Sequence, residues 1–423
     1  MNRFSVFSRP LMTVIVLSLL LAIPTRAPEP ALATTFQGVI PISGPAVPTL
    51  TSFDTAVVTF MEQNGIDAAS LAITYNGVTV FVRGYGWLTK DRSVLMPPNA
   101  LMRLASITKP ITAATIRTLV RAGLLSYQSK VFCIGSNSSP NCLLSIPPLP
   151  GETPDARLDD ITIQHLLDHR GGWDRDLTFD PLSEHIAIAA EMGVPSPPTK
   201  TQLVQYMHGW PLNYTPGSTY AYSNYGYMLL GMVIEKLMGT SYTEYIQRSI
   251  FLPLDIPATE IELGRTLPQY RNPREPWYDY PYMCPNVFNP TESVLCPDGG
   301  LYMEGRDANG GIIATSCAYA RFLNAYWIDG QPKQPGINRG RYNHTGRHPG
   351  VRTLARQWSN DDSFVIMFNS DINGTGNQID IAGFRSTMDT IYAQVSSWPT
   401  AASPVCPTED LQPNKTFLPM SRK

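Results

Sequence analysis

The chain has 423 residues, of which 43% are hydrophobic and 16% charged, with a formal net charge of −2. This is a globular composition, and its balanced charge gives no reason to expect nucleic acid or an acidic membrane as a partner. The length predicts two subdomains, or one large domain with insertions. The 38 prolines indicate long irregular connections around a regular frame.

The first 33 residues have the features of an export signal. They contain a basic start, an apolar segment over residues 11–23 and a small-x-small cleavage site that ends at Ala33. As a helix, the apolar segment would be roughly 20 Å long, short of the roughly 30 Å hydrocarbon core of a bilayer. We therefore predict a secreted or periplasmic protein, cleaved after Ala33 and without a later membrane span. An uncleaved N-terminal anchor is the alternative.

The six cysteines predict disulfides, because an even number of cysteines in an oxidising compartment usually pairs. Two pairs bracket short, loop-rich stretches, so we predict the bridges Cys133–Cys142 and Cys284–Cys296. The remaining two cysteines, in a predicted helix and in the C-terminal tail, are left open. The CxxC spacing of zinc and redox sites is absent from the sequence.

The predicted elements begin after a linker over residues 34–51. A helix over SFDTAVVTFMEQNG comes first, followed by a hairpin, because SLAITYNGVTVFVRGYG alternates on both sides of Asn76-Gly77, a type I′ turn signal. The segment RLASITKPITAATIRTLV follows. Its Pro110 places the start of a helix close to Ser106, since proline is tolerated only in the first turn.

The middle of the chain combines irregular passages with helical runs. Proline and glycine are dense over residues 133–198 and again over 268–297. Apolar residues at helical spacing predict helices over TIQHLLDH, TQLVQYMHG, YGYMLLGMVIEKLMG and IIATSCAYARFLNAYWI.

The C-terminal part returns to strands, predicted over GRYNHTG, RTLARQWS and SFVIMFNS, with a last helix over IAGFRSTMDTIYAQV. Strands at both ends and helices between them predict an α/β protein of the α+β kind. We expect one mainly antiparallel sheet, built from both chain ends and flanked by helices, with an adjoining, mostly helical lobe over roughly residues 125–300. The domain would cover residues 52–396 and leave 397–423 as a tail.

Ser106 and Lys109 are the first candidates for chemistry. At a helix start, free N–H groups and the positive end of the helix dipole favour an anion that forms beside the serine. The i, i+3 spacing puts the lysine on the same face, and a lysine half-buried among apolar residues has a lowered pKa. The pair predicts an activated serine nucleophile. The alternative is a helix-capping serine beside a solvated lysine.

Two further motifs supply polar groups. Tyr222 and Asn224 stand two residues apart in a loop that runs into a helix, where both can face a cleft. Alternatively, the tyrosine packs and the asparagine caps the helix. His344, Thr345 and Gly346 end a predicted strand, and the glycine would let a substrate backbone lie close along it.

Together, S-x-x-K, Y-x-N and [KH]-T-G in this order resemble the serine β-lactamase and penicillin-binding protein family. More narrowly, SITK, YSN and HTG are similar to the serine DD-carboxypeptidases and the related D-aminopeptidases and esterases. TIQHLLDHRGGW and YTPGSTYAYSNYGYMLLGMVIEKLMG resemble neighbouring segments of the family, and the likeness runs from about residue 52 to 396.

The resemblance implies a serine hydrolase that acts on an amide or ester bond through an acyl-enzyme on Ser106. Its substrate would be a small molecule, a peptide or an ester, and neither a cofactor nor a metal is implied. Lys109 would accept the proton of the serine. Tyr222 would pass a proton to the leaving group and help to activate water for deacylation.

The remaining roles implied by the resemblance concern substrate binding. Asn224 would hold the amide or ester part of the substrate, and His344, Thr345 and Gly346 would bind its far end. The backbone N–H groups of Ser106 and Arg347 would form the oxyanion hole.

The chain departs from the β-lactamase branch at His344, where most members carry lysine. A lysine is charged at neutral pH, whereas a histidine with the ordinary pKa of about 6.5 is mostly neutral. Binding of a substrate carboxylate is therefore expected to weaken as pH climbs through that pKa, unless Arg347 or Arg352 supplies a permanent charge. The departure favours a DD-peptidase-like enzyme or esterase, with a β-lactamase as the alternative.

Other classes of function have less support in the sequence. His165 and His169 have the i, i+4 spacing of a zinc pair, but no glutamate follows the first and no third ligand is evident. G-x-S-x-G, the motif of α/β-hydrolases, does not occur. A non-catalytic descendant that binds a peptide or glycan would typically have lost Ser106, Lys109 or Tyr222, and all three are present.

Overall fold

The computed structural model of the chain describes residues 39–134, 142–334 and 336–406. The apolar segment over residues 11–23 and the predicted cleavage site at Ala33 lie outside these residues. Within the described ranges, no helix combines the length and the apolar content that crossing a membrane requires.

The principal sheet has six strands and is built from both ends of the chain, as predicted. The strands, in chain order, are β1 (Ile42–Ser43), β2 (Ala68–Tyr75), β3 (Val78–Gly86), β4 (Met102–Arg103), β5 (Ile261–Leu263), β6 (Met283–Pro285), β7 (Ser293–Leu295), β8 (Ile312–Ala314), β9 (Tyr342–His348), β10 (Val351–Gln357) and β11 (Ser363–Phe368). The order in the principal sheet is β1-β3-β2-β11-β10-β9, with antiparallel neighbours. Two smaller sheets have the orders β4-β8-β5 and β6-β7.

The turn between β2 and β3 is the one predicted from its dipeptide. Asn76 and Gly77 have φ angles of 47° and 76°, the left-handed conformation that a type I′ turn requires at both central positions. Along β2, alternate residues enter different cores, since Leu71 and Ile73 pack on one side of the sheet and Ala72 on the other. Both faces of the sheet are therefore covered.

The described part of the chain contains helices, some of which cover these two faces. The helices are α1 (Thr51–Asn64), α2 (Thr108–Arg121), α3 (Ile163–Leu167), α4 (His185–Met192), α5 (Lys200–His208), α6 (Asn224–Met238), α7 (Tyr242–Ile246), α8 (Ser316–Ala325) and α9 (Ile381–Gln394). Helices α1 and α9 pack on one face, and α8 packs on the other, where the larger core also contains α2, α3 and α6.

One predicted helix is wrong at its start. The run IIATSCAYARFLNAYWI divides into strand β8 and helix α8, because β8 pairs with both β4 and β5. Thr315 separates the two elements, and its side chain accepts the N–H of Ala318 as a helix cap. The helices α4 and α7 were not predicted.

The predicted bridges Cys133–Cys142 and Cys284–Cys296 are both confirmed. The pairing left open is Cys317–Cys406, which ties α8 to the C-terminal segment. Residues 397–406, predicted as part of a polar tail, pack on the domain. Trp398 stacks on Tyr75 with ring centroids 4.5 Å apart.

A buried ion pair joins β4 to the second proline-rich passage. Arg103 Nε lies 3.1 Å from Glu275 Oε1, and neither side chain is exposed. Arg103 also donates to the carbonyl oxygens of Pro297 and Arg265, both at 3.2 Å, and its guanidinium carbon lies 4.3 Å from the ring centroid of Tyr278. The pair therefore anchors this passage to the strand that leads into α2.

Candidate active site

Ser106 lies in a short 3₁₀ turn, Ala105–Ile107, that runs directly into α2. Ala105 has a φ of 48°, a left-handed conformation that costs a residue with a Cβ atom about 1 kcal/mol or more. It is held there in a buried cluster with Tyr278 and Val351. This arrangement fixes the turn, and Ser106 lines a cleft of about 980 Å³.

Lys109 is buried one helical turn after Ser106. Its Nζ lies 2.7 Å from Asn224 Oδ1, 2.7 Å from the carbonyl oxygen of Asn309 and 3.3 Å from Ser106 Oγ. Burial lowers the pKa of Lys109 well below its ordinary value, although the charge of Asp180 opposes this shift. A neutral amine has two N–H donors and one lone pair. The two carbonyl-type oxygens can only accept, so the lone pair is left for the serine hydroxyl.

Tyr222 closes the other side of the serine. Its ring stacks on His169 at 4.5 Å, and the Lys109 Nζ lies 4.8 Å from its centroid. Burial raises the pKa of Tyr222 to about 12, although a hydrogen bond with Ser106 and the charge of Arg175 lower it. The phenol is therefore neutral near pH 7 and can donate a proton.

Asn224 is the first residue of α6, but it does not cap that helix. The cap is Ser223, whose Oγ accepts the N–H of Gly226 at 3.0 Å. The alternative that Asn224 acts as the cap is therefore wrong. Its side-chain amide instead connects Lys109 to Asp180. Oδ1 accepts a hydrogen bond from Lys109 Nζ, and Nδ2 donates to Asp180 Oδ2 at 2.5 Å.

Gly346 brings strand β9 against the turn that holds the serine. A Cβ atom at this position would lie 2.6 Å from the carbonyl oxygen of Leu104 and 2.9 Å from the backbone nitrogen of Ser106. It would also lie 2.3 Å from Thr353 Oγ1. The sequence-based interpretation gave this glycine a role in close substrate approach, whereas in the structure it permits close packing of β9 on the turn that holds Ser106.

His344 lies at the cleft beside Thr345, and its Nδ1 is 2.9 Å from the Thr345 carbonyl oxygen. Burial, together with the charge of Lys109, lowers the pKa of His344 to about 4. The ordinary pKa near 6.5 on which the sequence-based expectation rests is therefore not the pKa of this site. His344 is neutral throughout the range in which that expectation places its titration.

Two arginines supply permanent charge in the same cleft. Arg347 and Arg352 lie directly opposite each other on β9 and β10, and both line the cleft. Arg347 Nε donates to the buried Asp371 at 2.9 Å. Within the described residues, the buried Arg352 Nε has no hydrogen-bond partner. This end of the cleft therefore holds two guanidinium groups and the carboxylate that pairs with Arg347.

The two histidines with zinc-like spacing have separate roles. His165 forms a capping box with Thr162 at the start of α3. His169 lies between Tyr222 and Tyr227, with ring centroids 4.5 Å and 4.9 Å away, and accepts the N–H of Ser223. In the part of the chain that the structure describes, no group of three or more metal-ligating side chains could hold an ion.

The structure brings the sequence-predicted site residues together, and all of them either line the cleft or lie directly behind it. It also adds Arg175, Asp180 and Arg306, which sequence reasoning missed. No motif marks these three: Arg175 and Asp180 lie in an irregular passage, and Arg306 ends a single 3₁₀ turn. Only the fold shows that Asp180 lies beside Asn224.

The structure thus places a serine and a buried lysine one helical turn apart, as the S-x-x-K spacing predicts. A tyrosine, an asparagine and an antiparallel edge strand face them. The sequence pattern described as Beta-lactamase matches residues 53–372. The chain belongs to the β-lactamase family.

Curated relatives match part of the chain. A penicillin-binding protein of Bacillus subtilis is 27% identical over 262 residues, which are 58% of this chain and 49% of the relative. Protein flp of Staphylococcus aureus is 28% identical over 210 residues, which are 49% of this chain and 38% of the relative. The match thus spans half or less of the length of these relatives.

Solved structures match over most of the domain and show the same fold. A class C β-lactamase has a TM-score of 0.57 at 18% identity, covering 83% of this chain and 97% of the other. The D-amino acid amidase from Ochrobactrum anthropi has a TM-score of 0.57 at 18% identity, covering 82% and 98%. The penicillin-binding protein homologue from Pyrococcus abyssi has a TM-score of 0.55 at 19% identity, covering 81% and 77%.

Proposed function

We propose that this protein is an exported serine hydrolase that breaks an amide or ester bond through an acyl-enzyme on Ser106. The observation that carries the proposal is the contact set of Lys109, whose two short contacts to oxygen acceptors leave its lone pair for the serine hydroxyl. A buried lysine with a lowered pKa is a general base of the kind that activates a serine nucleophile.

Acylation then follows as a balanced step. Ser106 Oγ bonds to the substrate carbonyl carbon as its proton passes to Lys109, and the backbone N–H groups of Ser106 and Arg347 stabilise the oxyanion. The bond to the leaving group breaks as the neutral Tyr222 phenol supplies a proton, which the Lys109 ammonium replaces. Water later attacks the ester carbon, with the same groups accepting its proton and returning one to Ser106 Oγ.

The charge of the cleft favours a substrate that carries a carboxylate. Arg347 and Arg352 place two guanidinium groups at one end of the cleft, where Asp371 pairs with Arg347. His344 is neutral where most β-lactamases of this branch have a charged lysine, so we favour DD-peptidase-like or esterase activity over β-lactam hydrolysis. The names of the relatives, which include penicillin-binding proteins, support an acyl-transfer chemistry of this class.

Export to an oxidising compartment is part of the proposal. The three disulfides support it, because such bridges form and persist outside the reducing cytoplasm. Cleavage after Ala33 would release the mature protein to the periplasm or the medium.

The test is covalent labelling of the purified mature protein with a fluorophosphonate, followed by intact-mass and peptide analysis. We expect one adduct on the peptide that holds Ser106, none in Ser106→Ala, and full labelling in the matched control Ser183→Ala, a serine of the same cleft. Lys109→Ala should lose roughly 10²–10⁴-fold in rate. Labelling that persists in Ser106→Ala would refute the proposal.

The substrate class is decided by rates on three donors, namely a D-Ala-D-Ala peptide, a short-chain nitrophenyl ester and a β-lactam. We expect turnover of the peptide or the ester, and slow or stalled turnover of the β-lactam. Rapid β-lactam hydrolysis without peptide or ester turnover would assign the alternative activity.

A further inference from the structure

We infer that Asp180 is a positioning residue for the proposed reaction, because its carboxylate holds the Asn224 amide with the oxygen towards Lys109. The inference rests on the proposed function, in which Lys109 is the base that activates Ser106. Asp180 lies in the first proline-rich passage, outside every motif of the sequence.

The contacts form one continuous chain from the carboxylate to the nucleophile. Asp180 Oδ2 lies 2.5 Å from Asn224 Nδ2, Asn224 Oδ1 lies 2.7 Å from Lys109 Nζ, and Lys109 Nζ lies 3.3 Å from Ser106 Oγ. An ionised carboxylate only accepts hydrogen bonds, so it selects the NH₂ end of the amide. A flipped amide would set oxygen against carboxylate and N–H against N–H. Asp180 therefore fixes which end of Asn224 faces the lysine.

Asp180 is itself held in place. Its Oδ1 accepts the N–H of Leu182 at 3.1 Å, and its carbonyl oxygen accepts the N–H of Ser183 at 2.8 Å. The buried Arg306 clamps the same loop by donating to the carbonyl oxygen of Leu182. Both carboxylate oxygens are thus engaged, one by the loop and one by Asn224.

Asp180 also acts on Lys109 through its charge. Burial is the main cause of the lowered pKa of Lys109, and the charges of Arg306 and Arg175 lower it further, whereas Asp180 raises it. Other titratable groups around the lysine belong to the neighbouring loop, α6 and β9; they are His169, Tyr222, Tyr227, His344 and His348. The burial that surrounds the three histidines lowers their pKa values, so they stay neutral near pH 7. The carboxylate of Asp180 thus opposes two guanidinium groups in setting the charge of the base.

These two roles predict a distinctive effect of substitution. Asp180→Asn removes the charge but keeps an oxygen that can accept from Asn224. The acid limb of kcat/KM, which reports the free enzyme, should move to lower pH, because a neutral Lys109 then persists in more acidic solution. Asp180→Ala, which also releases the amide, should lower the pH-independent rate about tenfold or more.

The measurement is kcat/KM from about pH 5 to 9 on a neutral nitrophenyl ester, normalised to the concentration of fluorophosphonate-reactive sites. Glu184→Gln is the matched control, since Glu184 is an exposed acid of the same cleft, and its profile should follow the parent. Asp180→Glu keeps the charge and should retain the parent acid limb even if its rate falls.

If the acid limb of kcat/KM in Asp180→Asn lies at the same pH as in the parent, the inference is overturned. This holds whether the maximal kcat/KM of the variant is unchanged or lowered. A limb that moves equally in Glu184→Gln would overturn it too, since the effect would then belong to any acid of the cleft. These failures are distinct from failure of the proposed function, because fluorophosphonate labelling of Ser106 tests that function independently of Asp180.

Discussion

Glu275→Gln should destabilise the protein strongly although Glu275 lies outside the cleft. Its carboxylate faces Arg103 Nε at 3.1 Å and Arg271 Nε at 4.0 Å, and the Arg103 side chain is not exposed at all. Removing one partner of a buried pair leaves an uncompensated charge and typically costs roughly 3–5 kcal/mol. Glutamine keeps an oxygen for the Arg103 N–H, so we expect about 3 kcal/mol, near the lower end.

The pair itself is not expected to be a net source of stability. Burial raises the pKa of Glu275 in spite of both arginines, so ionising this carboxyl in the interior costs free energy. Replacing both partners, as in Arg103→Met with Glu275→Leu, should therefore cost less than the sum of the two single substitutions, by about 2 kcal/mol. The double variant should still be less stable than the parent, because the carbonyl oxygens of Pro297 and Arg265 lose the hydrogen bonds that Arg103 donates.

Urea unfolding, compared at constant m-value, measures these differences for five proteins: the parent, Glu275→Gln, Glu275→Leu, Arg103→Met and the double variant. The control is Asp160→Asn, which breaks the exposed pair of Lys130 and Asp160 and should change stability by no more than about 0.5 kcal/mol. An unchanged midpoint for Glu275→Gln would refute the reasoning. A double variant that loses the full sum of the single losses would refute the coupling.

Two further predictions concern strand β9. Because the pKa of His344 is about 4, kcat/KM profiles between pH 5 and 9 should run parallel for an acidic and a neutral acyl donor. If the ratio of the two kcat/KM values instead changes with a midpoint near pH 6.5, binding of the carboxylate depends on the charge of His344. Gly346→Ala should reduce kcat by about 10²-fold or more, because its Cβ atom would press on the Ser106 backbone nitrogen at the proposed oxyanion hole. Near-parental kcat in this variant would contradict that arrangement. Gly209→Ala serves as the control, because Gly209 does not need a left-handed conformation and its Cβ atom would meet only the flexible side chain of Glu152.

The sequence is sufficient to predict an element when the residues of that element alone determine its conformation. The hairpin follows from Asn76-Gly77 because the turn itself demands left-handed residues. Strand β8 could not be predicted, because its three residues are extended only through pairing with β4 and β5, and those partners are distant in sequence. An apolar run before a helix is ambiguous until its partners are known.

The same distinction applies to the candidate site. Residue type and spacing are sufficient to predict Ser106 and Lys109 as candidates, since activation of a serine by a lysine requires the two one helical turn apart. Burial cannot be read from a motif, so the lowered pKa of His344 was missed. Asp180 acquires its role only because the fold brings an irregular loop against the first turn of α6.

The pairing of β2 with β11 has a consequence for how the protein is made. Ala69 lies opposite Phe368, so the centre of the sheet stays open until nearly the whole domain has been synthesised. Contacts between residues so distant in sequence form slowly, and until they form the unpaired apolar strands can aggregate. The turn that holds Ser106 likewise lacks its facing strand until Gly346 has emerged from the ribosome. A nascent or truncated chain would therefore contain Ser106 and Lys109 without a working site, which keeps the proposed hydrolase inactive until its biosynthesis is nearly finished.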